Sequence, residues 1–255
     1  MTVNHSFQTL FAVPLSCDGC VKSVSDALFQ LGGITKVEGD VEKQLVSVEG
    51  SAAPSKIVEA IQDTGRDAIL RGSGASDSAA VSILETFPDE TQPPSTNPSR
   101  EVRGLARMVQ VSPSHTLVDL TVRGVSPGTY RATIRQFGNL SRGASSTGPV
   151  WADPEAPSGP EKGYLGTVEV GPDGRGSAFS DHGFQIWETI GHAMVLTRQQ
   201  EEGGGSGAEL KNDLDTVVGV VARSAGVWDN DKTVCSCTGK TLWEERKDEV
   251  SKGML

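Results

Sequence analysis

Apolar and polar residues alternate from Phe7 through Thr9 and Phe11 to Val13, and then the rhythm changes. Val21, Val24, Leu28 and Leu31 recur at three- and four-residue spacing. The first pattern predicts a half-buried strand and the second an amphipathic helix. Leu15-Ser16-Cys17-Asp18-Gly19-Cys20 joins them. Ile34 to Asp40 and Lys43 to Val48 predict a hairpin turning at Val41 and Glu42. Pro54 suits the first turn of a second helix, where its missing N–H would have no intrahelical partner. Ile57, Val58 and Ile61 form that helix's buried side, Gly65 stops it, and Ala68-Ile69-Leu70 adds a short last strand. Strand, helix, strand, strand, helix, strand is the order of an α+β ferredoxin-like sandwich, assigned to residues 1–71.

Arg71 to Ser78 is polar and rich in Gly and Ser, which predicts a linker over 72–78. Beyond it the period becomes two, with Gly/Pro turns between short runs, the signature of an all-β barrel or sandwich over 79–222. Strands are expected near Ala79–Thr86, Val102–Val111, Thr116–Val122, Thr129–Gln136, Leu165–Val170, Ala193–Thr197 and Thr216–Ala222. Pro88 to Arg100 and the Gly-rich stretch from Glu201 to Ala208 read as loops. Residues 223–255 form a tail with little regular structure outside a final helix, whose charge run Glu244 to Glu249 predicts a solvated face.

A formal charge of -10 over 255 residues weighs against a nucleic-acid partner. No charged start leads into an apolar signal segment, and no run is long enough to span a bilayer, so the cytoplasm is the expected address. Four cysteines stand in two close pairs, Cys17/Cys20 and Cys235/Cys237. Such pairs indicate intracellular metal or redox chemistry rather than a secreted disulfide framework. Cys17 and Cys20 lie where a strand turns into a helix, whose positive N-terminal end favours thiolates. Two thiolates with no interleaved cluster of His or carboxylates select a soft ion, Cu(I). His5, His115, His182 and His192 are scattered and read as structural or exposed. Two other readings stay open: a thiol-disulfide oxidoreductase, and an adaptor stapled by one zinc ion on all four thiolates.

Cys17-Asp18-Gly19-Cys20 and Thr64-Gly65-Arg66 resemble the copper loop and its supporting turn in heavy-metal-associated domains of soluble copper chaperones. The resemblance implies that Leu15 anchors the loop where that family has Met, and that Arg66 supplies positive charge beside an anionic copper centre. Gly104 to Val109, Phe137-Gly138-Asn139, Ser146 to Pro149, Tyr164 to Val168, Ile190-Gly191 and Gly219 to Ala222 are similar, in that order, to blocks of copper-zinc superoxide dismutase, implying its Greek-key barrel. The ligands do not carry over. Thr133, Arg135, Val150, Tyr164 and Thr197 stand where metal ligands are expected, and Ala144 and Val218 where the enzyme has its disulfide.

With Cys235-Ser236-Cys237 in the tail, nearly the whole chain resembles the copper chaperones for superoxide dismutase, in their fungal form. That resemblance implies a metallochaperone without dismutase activity and without zinc in its central domain. It implies Cu(I) on Cys17, Cys20, Cys235 and Cys237, with Cys235 and Cys237 as the copper- and disulfide-transfer pair. The implied partner is immature copper-zinc superoxide dismutase. A heterodimer would form through Phe137, Gly138, Trp187, Ile190, Gly191 and the strand ending near Ala222. Whether the free chaperone is a homodimer, and whether a fraction reaches the mitochondrial intermembrane space, stays open.

Overall fold

The computed structural model describes residues 5–87, 101–152, 161–199, 210–227 and 240–251. The first unit runs β1 (Phe7–Ala12), α1 (Asp18–Leu31), β2 (Ile34–Asp40), β3 (Leu45–Gly50), α2 (Pro54–Asp63) and β4 (Ile69–Ser73). Its antiparallel sheet has the order β2-β3-β1-β4. Val24 and Leu28 of α1 and Ile57 and Ile61 of α2 pack with Phe11, Val13, Val46 and Val48 into one core. Pro54 opens α2, and Gly65, with φ 80°, closes it by donating to Gln62 O at 2.8 Å. Leu31 departs from the expected buried stripe. Cys20, Val24 and Leu28 bury instead, four residues apart, while Leu31 ends the helix beside Gly32 and is exposed.

The second unit consists of β5 (Ala79–Thr86), β6 (Val102–Ser112), β7 (His115–Arg123), β8 (Gly128–Ile134), β9 (Tyr164–Val170), β10 (Arg175–His182), α3 (Ile186–Thr189), β11 (Ala193–Arg198), β12 (Thr216–Val220) and β13 (Ala222–Ser224). Its strands follow the order β12-β11-β8-β9-β10-β7-β6-β5, and a β12–β5 pairing closes the barrel. Closure satisfies backbone groups that an open edge would expose. Alternate residues point inward: Ala106 and Met108 of β6, and Val118, Leu120 and Val122 of β7, join Tyr130, Ile134, Leu196 and Val217 in the core. Strand β10 escaped the sequence reading. It is small and polar, held by its ladder to β7 rather than by an apolar face. The last barrel strand ends at Val220, and after Val221 the chain continues as β13 along the same edge of β5 and in the same register.

The polar stretch between the units is pinned by its backbone. Gly74 donates to Gln8 O at 2.8 Å and Ser78 to Ala75 O at 3.1 Å. On its far side Ser73 donates to Ala225 O, and Val227 donates to Gly74 O at 2.8 Å. The chain leaving the barrel therefore runs along the edge of β4. The final helix, α4, spans Leu242–Ser251. Its charged run is not wholly solvated, because Arg246 is 10% exposed and reaches Asp67 at 3.6 Å.

Candidate metal centre

Cys17 is the N-cap of α1, in extended backbone conformation, and its side chain makes no capping bond. Its carbonyl accepts from Cys20 N at 2.9 Å, which folds the loop back so that the two sulfurs lie 3.8 Å apart. Cys17 is exposed and Cys20 buried. Leu15 is buried in the same core as Val24 and Leu28, beneath the loop. It fills the anchor position with an apolar side chain of suitable volume.

Ser16 Oγ lies 3.2 Å from Cys20 Sγ. Arg66 is held by Thr64, donating from Nη1 to its carbonyl and hydroxyl oxygens, both at 3.1 Å. The Thr64 hydroxyl donates in turn to Ile61 O at 2.6 Å, so the end of α2 fixes Arg66. These groups bring the Cys20 thiol from the ordinary 9.0 down to about 6. The Ser16 hydroxyl contributes most, then the Ser16 backbone and the Arg66 guanidinium, while burial opposes them. The expected effect is present, and local hydrogen bonds from Ser16 and Arg66 bring it about. Ser16 was not singled out in the sequence. Its only signal there is a hydroxyl four positions before Cys20.

Among the described residues no group of three or more His, Cys, Asp or Glu converges as a metal site. Two sulfurs in a dry-floored loop, one held as thiolate, suit a soft monovalent ion better than a harder ion wanting four ligands. Cys235 and Cys237 lie outside the described residues.

In the barrel, the positions matched to dismutase ligands do other work. Thr133 donates to Val195 O at 3.4 Å, and Thr197 pairs with the Thr216 hydroxyl at 3.0 Å. Arg135 turns Nε and Nη2 onto Gly148 O, tying β8 to the segment before the buried Val150. Tyr164 lies under the Arg131 guanidinium, 5.0 Å from its ring centre. Ala144 and Val218, at the positions where the resemblance places the enzyme's disulfide, belong to one small apolar cluster with Ala193 and Val195. Of the histidines, His192 Nδ1 bonds Arg135 O at 2.7 Å and His182 stacks on Phe184, while His5 and His115 lie ring to ring at 5.8 Å.

Residues 9–67 match the heavy-metal-associated domain model, and residues 102–216 match the copper/zinc superoxide dismutase (SODC) model. The chain is 44% identical to a superoxide dismutase 1 copper chaperone of Debaryomyces hansenii, covering 99% of each. It is 39% identical to that of Saccharomyces cerevisiae, covering 98% of each. It is 34% identical to a copper chaperone for superoxide dismutase of Sus scrofa, covering 94% of this chain and 89% of the relative. The chain belongs to the family of copper chaperones for superoxide dismutase.

In this chaperone-family chain the surface beside β8, β11 and β12 carries two large exposed aromatics, Phe137 at 54% and Trp187 at 62%. Gly191 is exposed between them and β11, with φ 84° and a backbone N–H bonded to Val221 O. Gly138 touches the Gly191 carbonyl so closely that any Cβ there would meet it at 2.0 Å. Ile190 differs from its neighbours: it is half-buried and packs on the barrel core. It supports the patch from beneath more than it presents itself.

Proposed function

We propose that this protein carries Cu(I) on Cys17 and Cys20, docks on immature copper-zinc superoxide dismutase, delivers the ion and promotes the client's disulfide. The observation that carries the reading is the thiol pair 3.8 Å apart, with Cys20 activated by Ser16 and Arg66. It sits on a chain whose dismutase-like barrel has Thr133, Arg135, Val150, Tyr164 and Thr197 at the ligand positions. Copper is here the cargo. The barrel contributes no dismutase chemistry and holds neither zinc nor copper, because Arg135 and Val150 donate no lone pair to a metal and the neutral hydroxyls of Thr133, Tyr164 and Thr197 are poor substitutes for imidazole and carboxylate ligands.

What the barrel offers is a self-complementary surface in which one subunit of a two-fold pair can be replaced by a lookalike. Phe137, Trp187 and Gly191 form its exposed part, and the complex is a heterodimer with the client. The address is the cytoplasm.

Cys235 and Cys237 complete the device. A Cys-x-Cys pair closes a strained disulfide, and such disulfides are oxidising. A client thiolate attacks one sulfur to form a mixed disulfide and releases the other as thiolate. A second client thiolate then attacks the first client sulfur and expels the remaining tail sulfur as thiolate, leaving the client disulfide and both tail thiols reduced. Two electrons pass to the tail pair, which dioxygen reoxidises. The segment 228–239 that bears the pair leaves Val227, bonded to Gly74, and returns to α4, whose Arg246 pairs with Asp67 beside Arg66. One anchor, Asp67, lies on the copper-loop unit and the other, Gly74, is bonded to its β1 through Gln8, which supports short-range exchange between the two thiol pairs.

The test is a Cys235→Ser/Cys237→Ser variant, loaded with Cu(I) and mixed with reduced, copper-free client under oxygen. Neither copper nor a disulfide should enter the client at the normal rate. Normal rates for both would assign the work to Cys17 and Cys20 alone.

A further inference from the structure

The outward face of β6 and β7 is covered by the copper-loop unit, and the cover is sealed by one buried carboxylate. Asp119 is 2% exposed and points away from the barrel core, since its neighbours Val118 and Leu120 point in. Its Oδ2 accepts the backbone N–H of Ser55 at 2.8 Å, and its Oδ1 the Ser55 hydroxyl at 2.7 Å. Ser55 stands in the first turn of α2, where backbone N–H groups lack intrahelical partners. A carboxylate from one domain thus caps a helix of the other. Arg107, the outward neighbour on β6, balances that charge from 3.5 Å. An apolar seam of Phe7, Val109 and Leu117 lies alongside.

The joint holds a small gap. Between Pro54, Ser73, Arg107, Asp119 and Phe179 lies a cavity of about 10 Å³, and the buried Ser73 hydroxyl there makes no hydrogen bond. The two main cores do not merge across it. Interfaces of this kind between domains resemble separable contacts more than a shared core.

We propose that the Ser55–Asp119 pair is an interdomain lock that holds the copper-loop unit on the β6/β7 wall, across the barrel from the Gly191 side of the Phe137/Trp187 patch. The closed strand order places β7 four strands from β11 in either direction, and Gly191 leads directly into β11. The lock itself stands on geometry alone, while its consequence for delivery rests on the patch being the client-facing surface. While the lock is closed, the Cys17/Cys20 loop cannot face a client docked on that patch without another carrier or an opening of the joint.

The experiment uses the full chain, with hydrogen exchange of individual amides and small-angle scattering. Ser55→Asp sets two carboxylates against each other across the joint, yet an acid in the first turn favours α2 itself. Exchange at residue 55 should rise at least tenfold and the radius of gyration should increase, while β1 and β3 keep their protection. The swap Ser55→Asp/Asp119→Ser restores one carboxylate facing one hydroxyl and should reverse both changes. If Ser55→Asp unfolds the first unit, seen as lost protection in β1 and β3, Asp119→Asn takes its place under the same readouts. Wild-type exchange and radius in the single variant, or an opening that the swap leaves unreversed, would overturn the lock. Neither readout involves copper, so failure of copper delivery and failure of the lock are distinguishable.

Discussion

The Ser16 hydroxyl lies 3.2 Å from the Cys20 sulfur, on the residue directly before the cysteine pair. Donated to the sulfur, the hydroxyl proton stabilises the thiolate more than the thiol, so it biases the loop toward the form that binds metal.

In metal-free protein, alkylation of Cys20 by iodoacetamide should therefore follow a titration centred near pH 6, from the ordinary 9.0. Ser16→Ala should move that midpoint upward, and Arg66→Met should do so to a smaller extent. Because the folded value is depressed, the thiolate's contribution to stability is present above about pH 9 and is lost as pH falls through about 6. Peptide mass spectrometry of samples quenched across pH 4 to 10 measures the profile.

Leu15 tests the floor of the loop. Leu15→Met keeps its volume and should cost under about 1.5 kcal/mol, whereas Leu15→Ala should cost about 2–5 kcal/mol. Copper-free thermal unfolding of the first unit's transition measures both. Equal melting of the two variants would show that Leu15 is not a packed anchor.

The client surface calls for Trp187→Ala rather than Gly191→Arg alone. Trp187 is largely exposed, so its removal leaves the barrel intact. At Gly191 any side chain has open space but meets a φ of 84°, a strain of about 1–2 kcal/mol apart from any effect on binding. Loss of a buried aromatic anchor costs about 2 kcal/mol or more at an interface, roughly 30-fold in affinity. Titration calorimetry with reduced client should show that loss for Trp187→Ala, and Gly191→Ala serves as the strain control for Gly191→Arg.

The barrel should retain no metal. Cys17→Ser/Cys20→Ser/Cys235→Ser/Cys237→Ser protein, purified from copper- and zinc-supplemented cells, should carry well under one equivalent of either by elemental analysis. A stoichiometric metal in that variant contradicts the assignment of Arg135 and Tyr164 as replacements that bind none.

Much of this was legible because local chemistry and pattern agreed. Pro54 and Gly65 bound α2, and the alternation of Ala79–Thr86 gave β5 to the residue. Strand β10 was not legible: Arg175 to His182 has Phe179 as its one large apolar residue, and its place is set by the β7 ladder. The domain joint left a faint trace. Val109 and Leu117 are apolar at outward-facing barrel positions, beside Arg107 and Asp119. Alternation flags such residues as covered but cannot say that Ser55, far away in sequence, covers them. Arg246 was misread for the same reason, since a charge run looks solvated until its partner Asp67 is found across the fold. At the metal loop the cysteines and Arg66 carried a motif, whereas Ser16 acts only through its distance to one sulfur.

The most direct measurement of the central claim is copper transfer to the client. Cu(I)-loaded protein is mixed with reduced, copper-free superoxide dismutase under oxygen and excess chelator, and the client is then separated and assayed for copper and activity. Wild-type protein should fill the client to near one copper per subunit and activate it, while Cys17→Ser/Cys20→Ser protein, offered the same limiting copper, should not. Equal filling by both proteins, or none by either, would contradict a chaperone that carries its cargo on Cys17 and Cys20.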